Sequence, residues 1–212
     1  MANNITELVF ILDKSGSMSN LREDTIGGFN SMIEKQRKTD GTVLVSTVMF
    51  STTCEVLHDR KNLNDVSPLS KNDYCPCGGT ALYDAIGKAI HHIGIVHKKS
   101  PKNGVPDKTI FIITTDGMEN SSHVYTGSKI KEMINRQQEK FGWEFLFVAA
   151  NIDAKENASR IGIREDRAVN YSADKNGTEV LYKEISETVT HYRKCGSIRK
   201  NWSTNIDATN IR

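Results

Sequence analysis

Strand-like apolar runs that alternate with helix-length amphipathic stretches constrain this chain more than any other feature. Leu8-Val9-Phe10-Ile11-Leu12 is continuously apolar, as a strand covered on both faces must be. Residues Leu21 to Arg37 follow, with Leu21, Phe29, Met32 and Ile33 near one helical face. Asp40-Gly41 marks a turn, and Thr42 to Phe50 is a second β-branched run. Cys54 to Leu57 reads as a short antiparallel partner at the sheet edge, and Asp59 to Gly79 as polar and irregular. Ala81 to His97 carries Leu82, Ala85, Ile86, Ala89, Ile90 and Ile93 at helical spacing. Ser100 to Pro106 is a loop, Thr109 to Thr115 a third central strand, Ser128 to Lys140 a helix and Trp143 to Ala150 a fourth strand. Asp153 to Ile161 reads as a short helix, Arg167 to Tyr171 as a short strand and Asn176 to Tyr192 as the last helix. Strands joined by helices of crossover length imply βαβ units: a doubly wound, mainly parallel sheet with one short antiparallel edge strand and helices on both faces.

Such sheets bind ligands beyond the carboxyl ends of their strands. Three segments fall at that edge. Asp13-Lys14-Ser15-Gly16-Ser17 follows the first strand, Gly78-Gly79-Thr80 precedes the second long helix, and Thr115-Asp116-Gly117 follows the third central strand. Together they supply carboxylates from Asp13 and Asp116 and hydroxyls from Ser15, Ser17 and Thr80. All are hard oxygen donors, suited to Mg²⁺, with Mn²⁺ or Ca²⁺ as alternatives, rather than to zinc or copper. Two carboxylates balance a divalent ion and leave it able to accept one more anionic oxygen. Gly16 lets the backbone turn so that both serines face one point.

These segments resemble the metal-ion-dependent adhesion site (MIDAS) of a von Willebrand factor A (vWA) domain. That pattern is Asp-x-Ser-x-Ser, a distant threonine and a distant aspartate, and all five positions are filled in order. Phe10-Ile11-Leu12 before the first segment and Ala81-Leu82-Tyr83-Asp84-Ala85 after the threonine are similar to the family too. The resemblance covers about residues 5–192. It implies a Rossmann-like fold with Ser15, Ser17 and Thr80 as direct metal ligands, and Asp13 and Asp116 binding directly or through water. It further implies a mostly non-catalytic module for adhesion or assembly, in which an Asp or Glu of a partner protein completes the metal shell. Met18, Cys75, Glu119, Asn120 and His123 are expected around that contact. The type implied is a stand-alone bacterial or phage intracellular member.

Charge and composition narrow the partners. Of 212 residues, 28 are Lys or Arg and 26 Asp or Glu, a net +2 too mild to point to nucleic acid. From Arg193 onward there are five basic residues and one acid, so residues 1–192 are slightly acidic, and a body of residues 1–194 is expected to carry a basic polar tail, residues 195–212. That tail shows no helical or strand period, and is expected to be either mobile or packed through Trp202 and Ile206. No apolar run approaches the ~20 residues of a membrane span. Met1-Ala2-Asn3-Asn4 has no basic region of a signal peptide, so a cytoplasmic location with reduced thiols is expected. The oligomeric state is not legible.

Each of these residues also has a plainer reading. Asp13 can be an ordinary helix cap and Ser15 and Ser17 turn residues; only their coincidence with Thr80 and Asp116 argues for metal. Cys75-Pro76-Cys77 can be a redox pair or, as favoured, incidental surface thiols; Cys54 and Cys195 lack zinc-site spacing to it. Glu119 and Asn120 read as a solvated turn, Asp84 as a loop-bonding group or an exposed acid, and His91, His92 and His97 as a solvated face. The alternative function is a metal-assisted hydrolase or phosphatase using the same ion, but no general base or nucleophile stands beside the ligands and a two-metal site lacks carboxylates. Nucleotide binding fails because the first strand–helix turn has no Gly-x-Gly-x-x-Gly.

Overall fold

The computed structural model describes residues 4–209. Met1-Ala2-Asn3 and Arg212, the last cation of the basic tail, lie outside the described residues. The strands are β1 (Ile5–Asp13), β2 (Thr42–Phe50), β3 (Cys54–Asn62), β4 (Lys108–Thr115), β5 (Glu144–Ala149) and β6 (Ala168–Asn170). The helices are α1 (Arg22–Arg37), α2 (Leu82–Lys99), α3 (Gly127–Phe141), α4 (Ala154–Arg160), α5 (Lys175–Cys195) and α6 (Thr204–Thr209). They form one sheet of order β3-β2-β1-β4-β5-β6. All neighbours are parallel except β2 and β3, so the expected doubly wound sheet with one antiparallel edge strand is present.

Strand alternation divides the core in two. Leu8, Phe10, Leu12, Ile110, Ile112, Leu146 and Val148 point to one face, where α1 and α5 cover them with Phe29, Met32, Ile33, Leu181, Ile185 and Val189. Val9, Ile11, Phe111, Ile113, Phe145 and Phe147 point to the other, where α2, α3 and α4 supply Ile86, Ile90, Ile130, Ile134, Ala154 and Ala158. Every residue of β1 from Thr6 to Asp13 is buried. That explains why its sequence lacks the alternation of a half-exposed strand. On the first face α1 and α5 touch closely: a Cβ added to Gly28 would lie 2.2 Å from the Tyr182 ring.

Two elements depart from the sequence reading. The edge strand β3 continues through His58-Asp59-Arg60-Lys61 to Asn62, where a polar loop was expected. Its charges disguise it because an edge strand exposes one side. Yet Arg60 reaches back to the fully buried Glu7 carboxylate at 2.9 Å, and His58, itself fully buried, stacks on Phe29 with centroids 6.4 Å apart. The second departure is α6, which carries no long apolar period. Ile198, Trp202 and Ile206 of this segment are buried in the α1/α5 face, and the Trp202 indole N–H donates to the Asp166 carbonyl at 2.8 Å. No helix among the described residues is long and apolar enough to cross a membrane.

Candidate metal centre

The sheet order places β1 and β4 side by side, so Asp13 and Asp116 leave the same edge at adjacent strand ends. After Asp13 the chain turns at once. The Ser15 N–H donates to Asp13 Oδ1 at 2.7 Å, and a single 3₁₀ stretch, Gly16–Leu21, carries it into α1. The Gly16 N–H donates to the Gly78 carbonyl at 3.1 Å, which draws the threonine loop in. Gly79 lets the loop after Asp116 come close, since a Cβ there would meet Ser121 Oγ at 2.2 Å and Asn120 Oδ1 at 2.8 Å unless they moved. Thr80 then donates its N–H to Asn120 Oδ1 at 2.9 Å, and its carbonyl accepts from Asn120 N at 3.0 Å. The Thr80 and Ser17 hydroxyls both lie close to Gly117, 3.5 and 3.9 Å from where a Cβ would stand, in ordinary contact.

The oxygens form a chain. Ser17 Oγ donates to Asp116 Oδ1 at 2.6 Å, and the Ser15 and Ser17 hydroxyls are 3.1 Å apart. Asp13 Oδ2 accepts from the Thr115 hydroxyl at 2.6 Å. Asp13 is 0% exposed and Asp116 4%, yet neither forms an ion pair among the described residues. The nearest cation in sequence, Lys14, turns to Glu55 at 2.5 Å. Burial therefore pushes both aspartate pKa values above the ordinary carboxylate range; for Asp13 the Asp116 charge adds to it and hydrogen bonds from Thr115 and Ser15 oppose it. This arrangement of buried negative oxygens without a protein cation fits a bound cation. Adjacent ligands of an octahedral Mg²⁺ with ~2.1 Å bonds lie about 3 Å apart, the spacing of the two serine hydroxyls. No group of three or more His, Cys, Asp or Glu that could hold an ion occurs among the described residues, so a cation here would rest on the hydroxyl oxygens together with the two carboxylates.

The structure brings Asp13, Ser15, Ser17, Thr80 and Asp116 to one place and revises the surroundings. Met18 was expected at the rim but is 2% exposed, because the 3₁₀ stretch rotates it into the core. Cys75, Asn120 and His123 are exposed as expected. Glu119 is not a solvated turn residue. Its carboxylate accepts the N–H groups of Tyr83, Ser121 and Ser122 at 2.7–2.9 Å and the Ser122 hydroxyl at 2.8 Å. Asp84 is likewise buried and accepts from Val124 and Tyr125 N–H at 3.0 and 2.9 Å and from His123 N–H at 3.3 Å. The two acids therefore tie the loop after Asp116 to the start of α2. His97 is not on a solvated face: its side chain is 10% exposed, lies 3.2 Å from Glu7 and packs edge-on against Trp143.

Four side chains escaped the sequence reading. Thr115 is the hydroxyl beside the Asp-Gly pair, and only the register of β4 against β1 aims it at Asp13. Buried Tyr74 donates its O–H to the Asp13 carbonyl from a segment without period. Met118 and Val124, 56% and 66% exposed, put two apolar side chains on the loop that Asp84 and Glu119 secure. The Cys75 thiol is exposed and donates to the Lys71 carbonyl at 3.1 Å; Cys54, Cys75, Cys77 and Cys195 are all unpaired by disulfides.

No protein-family model and no curated protein matches the chain. Solved structures do. Proximal thread matrix protein 1 from the mussel byssus superposes with a TM-score of 0.61 at 17% identity over 88% of this chain and 46% of that one. A form of the same mussel protein with a zinc-occupied MIDAS motif superposes at 0.59. Manganese-loaded Plasmodium vivax TRAP protein gives 0.58 at 17% identity, covering 85% of this chain and 73% of that one. A von Willebrand factor type A protein from Catenulispora acidiphila gives 0.56 at 17% identity, covering 87% and 42%. The chain thus spans about half the length of the mussel structures it matches. With this sheet order, these helices on each face and these neighbours, the fold is that of a von Willebrand factor A domain.

Proposed function

We propose that the chain is a protein-binding module that engages its partner through a divalent cation, Mg²⁺ or alternatively Mn²⁺ or Ca²⁺, held by Asp13, Ser15, Ser17, Thr80 and Asp116. The observation that carries this reading is the pair of buried carboxylates, Asp13 and Asp116, joined by serine hydroxyls at one sheet edge without a protein cation. The neighbours carrying manganese and zinc support it by showing that this fold accommodates such ions.

In this reading Ser15, Ser17 and Thr80 are direct donors, and Asp13 and Asp116 bind directly or through water. When bound, the cation supplies an electrophilic position that takes an Asp or Glu of the partner. The chain's own residues do the rest. Thr115 and the Ser15 N–H hold Asp13 in one orientation. Asn120 fixes the Thr80 backbone. Lys14 is held by Glu55 and so does not compete for the carboxylates. Two aspartates balance the ion, leaving no excess negative charge to repel an incoming acid. The protein is not proposed as an enzyme, and residues 1–194 are taken as the module.

Titration calorimetry with Mg²⁺ and Mn²⁺ tests the site. Ser15→Ala with Ser17→Ala should remove the binding heat while the thermal transition stays cooperative. Equal binding by this double variant would overturn the assignment. Partner capture should require the cation, and should fail in chelator and in Thr80→Ala. Capture of the same partner in chelator would show that the contact is made elsewhere.

A further inference from the structure

A groove of about 940 Å³ runs between α2 and α3, outside the proposed metal centre. Its floor is apolar: Ile90 and Trp143 are buried, and Met133 and Tyr125 are partly so. Two of the large hydrophobic side chains that the described residues leave exposed, Ile95 at 37% and Phe141 at 61%, stand on its walls. Gly94 of α2 lines it as well, and nothing lies within 4 Å of where its Cβ would be. A helix-interior glycine costs about 1 kcal/mol relative to alanine. Elsewhere in α2 the fold accounts for such a residue, since a Cβ on Gly87 would strike the Tyr125 ring at 2.6 Å. Gly94 has no such internal reason. Its bare backbone lets another chain approach α2 closely.

The rim is basic. Lys98 on α2 and Arg136 on α3 are exposed, and neither is in an ion pair among the described residues. Glu132, the acid of the lining, is paired with Lys129 at 2.8 Å and so offsets neither. From Ile90 to Lys98 the groove follows α2 for about 12 Å, two to three helical turns. We infer that this groove docks an amphipathic helix of a partner protein, with an apolar stripe seated on Met133 and Trp143 beside Gly94 and acidic side chains facing Lys98 and Arg136. The inference is independent of the metal centre, so its test is run in chelator.

A displayed library of helical peptides about 14 residues long is selected against the full chain. Enriched peptides are then measured by fluorescence anisotropy against wild type, Gly94→Leu and Gly27→Leu. Gly27 is an exposed helix glycine in α1 with equal open space, so both variants gain helix propensity and should melt at or above wild type. The enriched peptides should carry an apolar stripe flanked by Asp or Glu. Gly94→Leu should weaken them by about tenfold or more, a change of ~1.4 kcal/mol, while Gly27→Leu leaves them unchanged. Lys98→Glu with Arg136→Glu should weaken them comparably, and salt should weaken wild-type binding. No enrichment, enrichment without acids, or equal affinity for Gly94→Leu would overturn the inference. A dimer in sedimentation that Gly94→Leu abolishes would overturn it too, by giving the groove to a second copy of this chain.

Discussion

Replacing Asp84 with alanine tests how the loop beside the metal centre is held. The Asp84 carboxylate accepts two well-formed backbone N–H bonds, from Tyr125 at 2.9 Å and Val124 at 3.0 Å, and a longer one from His123 at 3.3 Å. Hydrogen bonds to a charged group contribute about 1.5–3 kcal/mol each, and their loss leaves donors unsatisfied, so Asp84→Ala should cost about 3–4 kcal/mol. That is a large fraction of the ~5–15 kcal/mol by which a domain is stable. Asp84→Asn can keep its amide oxygen where Oδ1 accepts both shorter bonds and turns its N–H group only toward His123, so its cost should be well below that of Asp84→Ala. Burial pushes the Asp84 pKa up, but the three backbone donors and Lys88 outweigh it and hold the carboxyl below its ordinary value. The sign follows: this stabilisation is present above about pH 4 and is lost as pH falls from there through the lowered folded value, because over that interval the unfolded state takes up a proton that the folded state does not. Urea unfolding at neutral and acid pH reads both effects, and calorimetry with Mg²⁺ should show weaker binding as the loop beside Thr80 loosens. A cost below about 0.5 kcal/mol for Asp84→Ala would refute the reasoning, since that is within the range of an ordinary surface change.

Other perturbations probe the rest of the fold. Trp202→Ala removes a 4% exposed indole from the α1/α5 face and should cost about 3–5 kcal/mol in urea unfolding. A loss under 1 kcal/mol would mean that the C-terminal segment adds nothing to the core. Gly28→Ala should cost about 1–3 kcal/mol by pressing on Tyr182, and a double-mutant cycle with Tyr182→Ala should show coupling; additive losses would exclude that contact as the cause. His58 is fully buried against Phe29, and burial, aided by the Lys61 charge, holds its pKa below the ordinary imidazole value. Stability should therefore fall as pH drops from about 6.5 through that lowered value, and His58→Gln should remove this slope; an unchanged slope would assign it to other groups.

How much of the molecule could be read along the chain differs from place to place. The apolar run ending in Asp13 and the helical period of Ala81 to His97 needed only local chemistry, because strands and helices buried in a sheet of this kind must present continuous or periodic apolar surface. That Asp13, Ser15, Ser17, Thr80 and Asp116 gather at one sheet edge was legible for a related reason: each stands just after a strand or just before a helix at the same end of a parallel sheet. Other features depend on neighbours distant in the chain. The charged half of β3 is a strand only because β2 offers an edge and Glu7 a counter-charge. Helix α6 is short and polar, and its Ile206, like Trp202 just before it, gains its burial from the face that α1 and α5 cover. Glu119 looks like a solvated acid until the fold turns backbone N–H groups toward it, Asp84 leaves a loop-bonding and an exposed role open until the same contacts choose the first, and Met18 looks like a rim residue until a 3₁₀ turn rotates it inward. The sequence alone determined the central strands, the long helices between them and which oxygens stand at the strand ends, because periodicity and residue chemistry are local properties. Only the tertiary structure decided which acids the backbone consumes, which remain without a protein cation, and which apolar side chains stay exposed, because those outcomes depend on contacts between residues far apart in the chain.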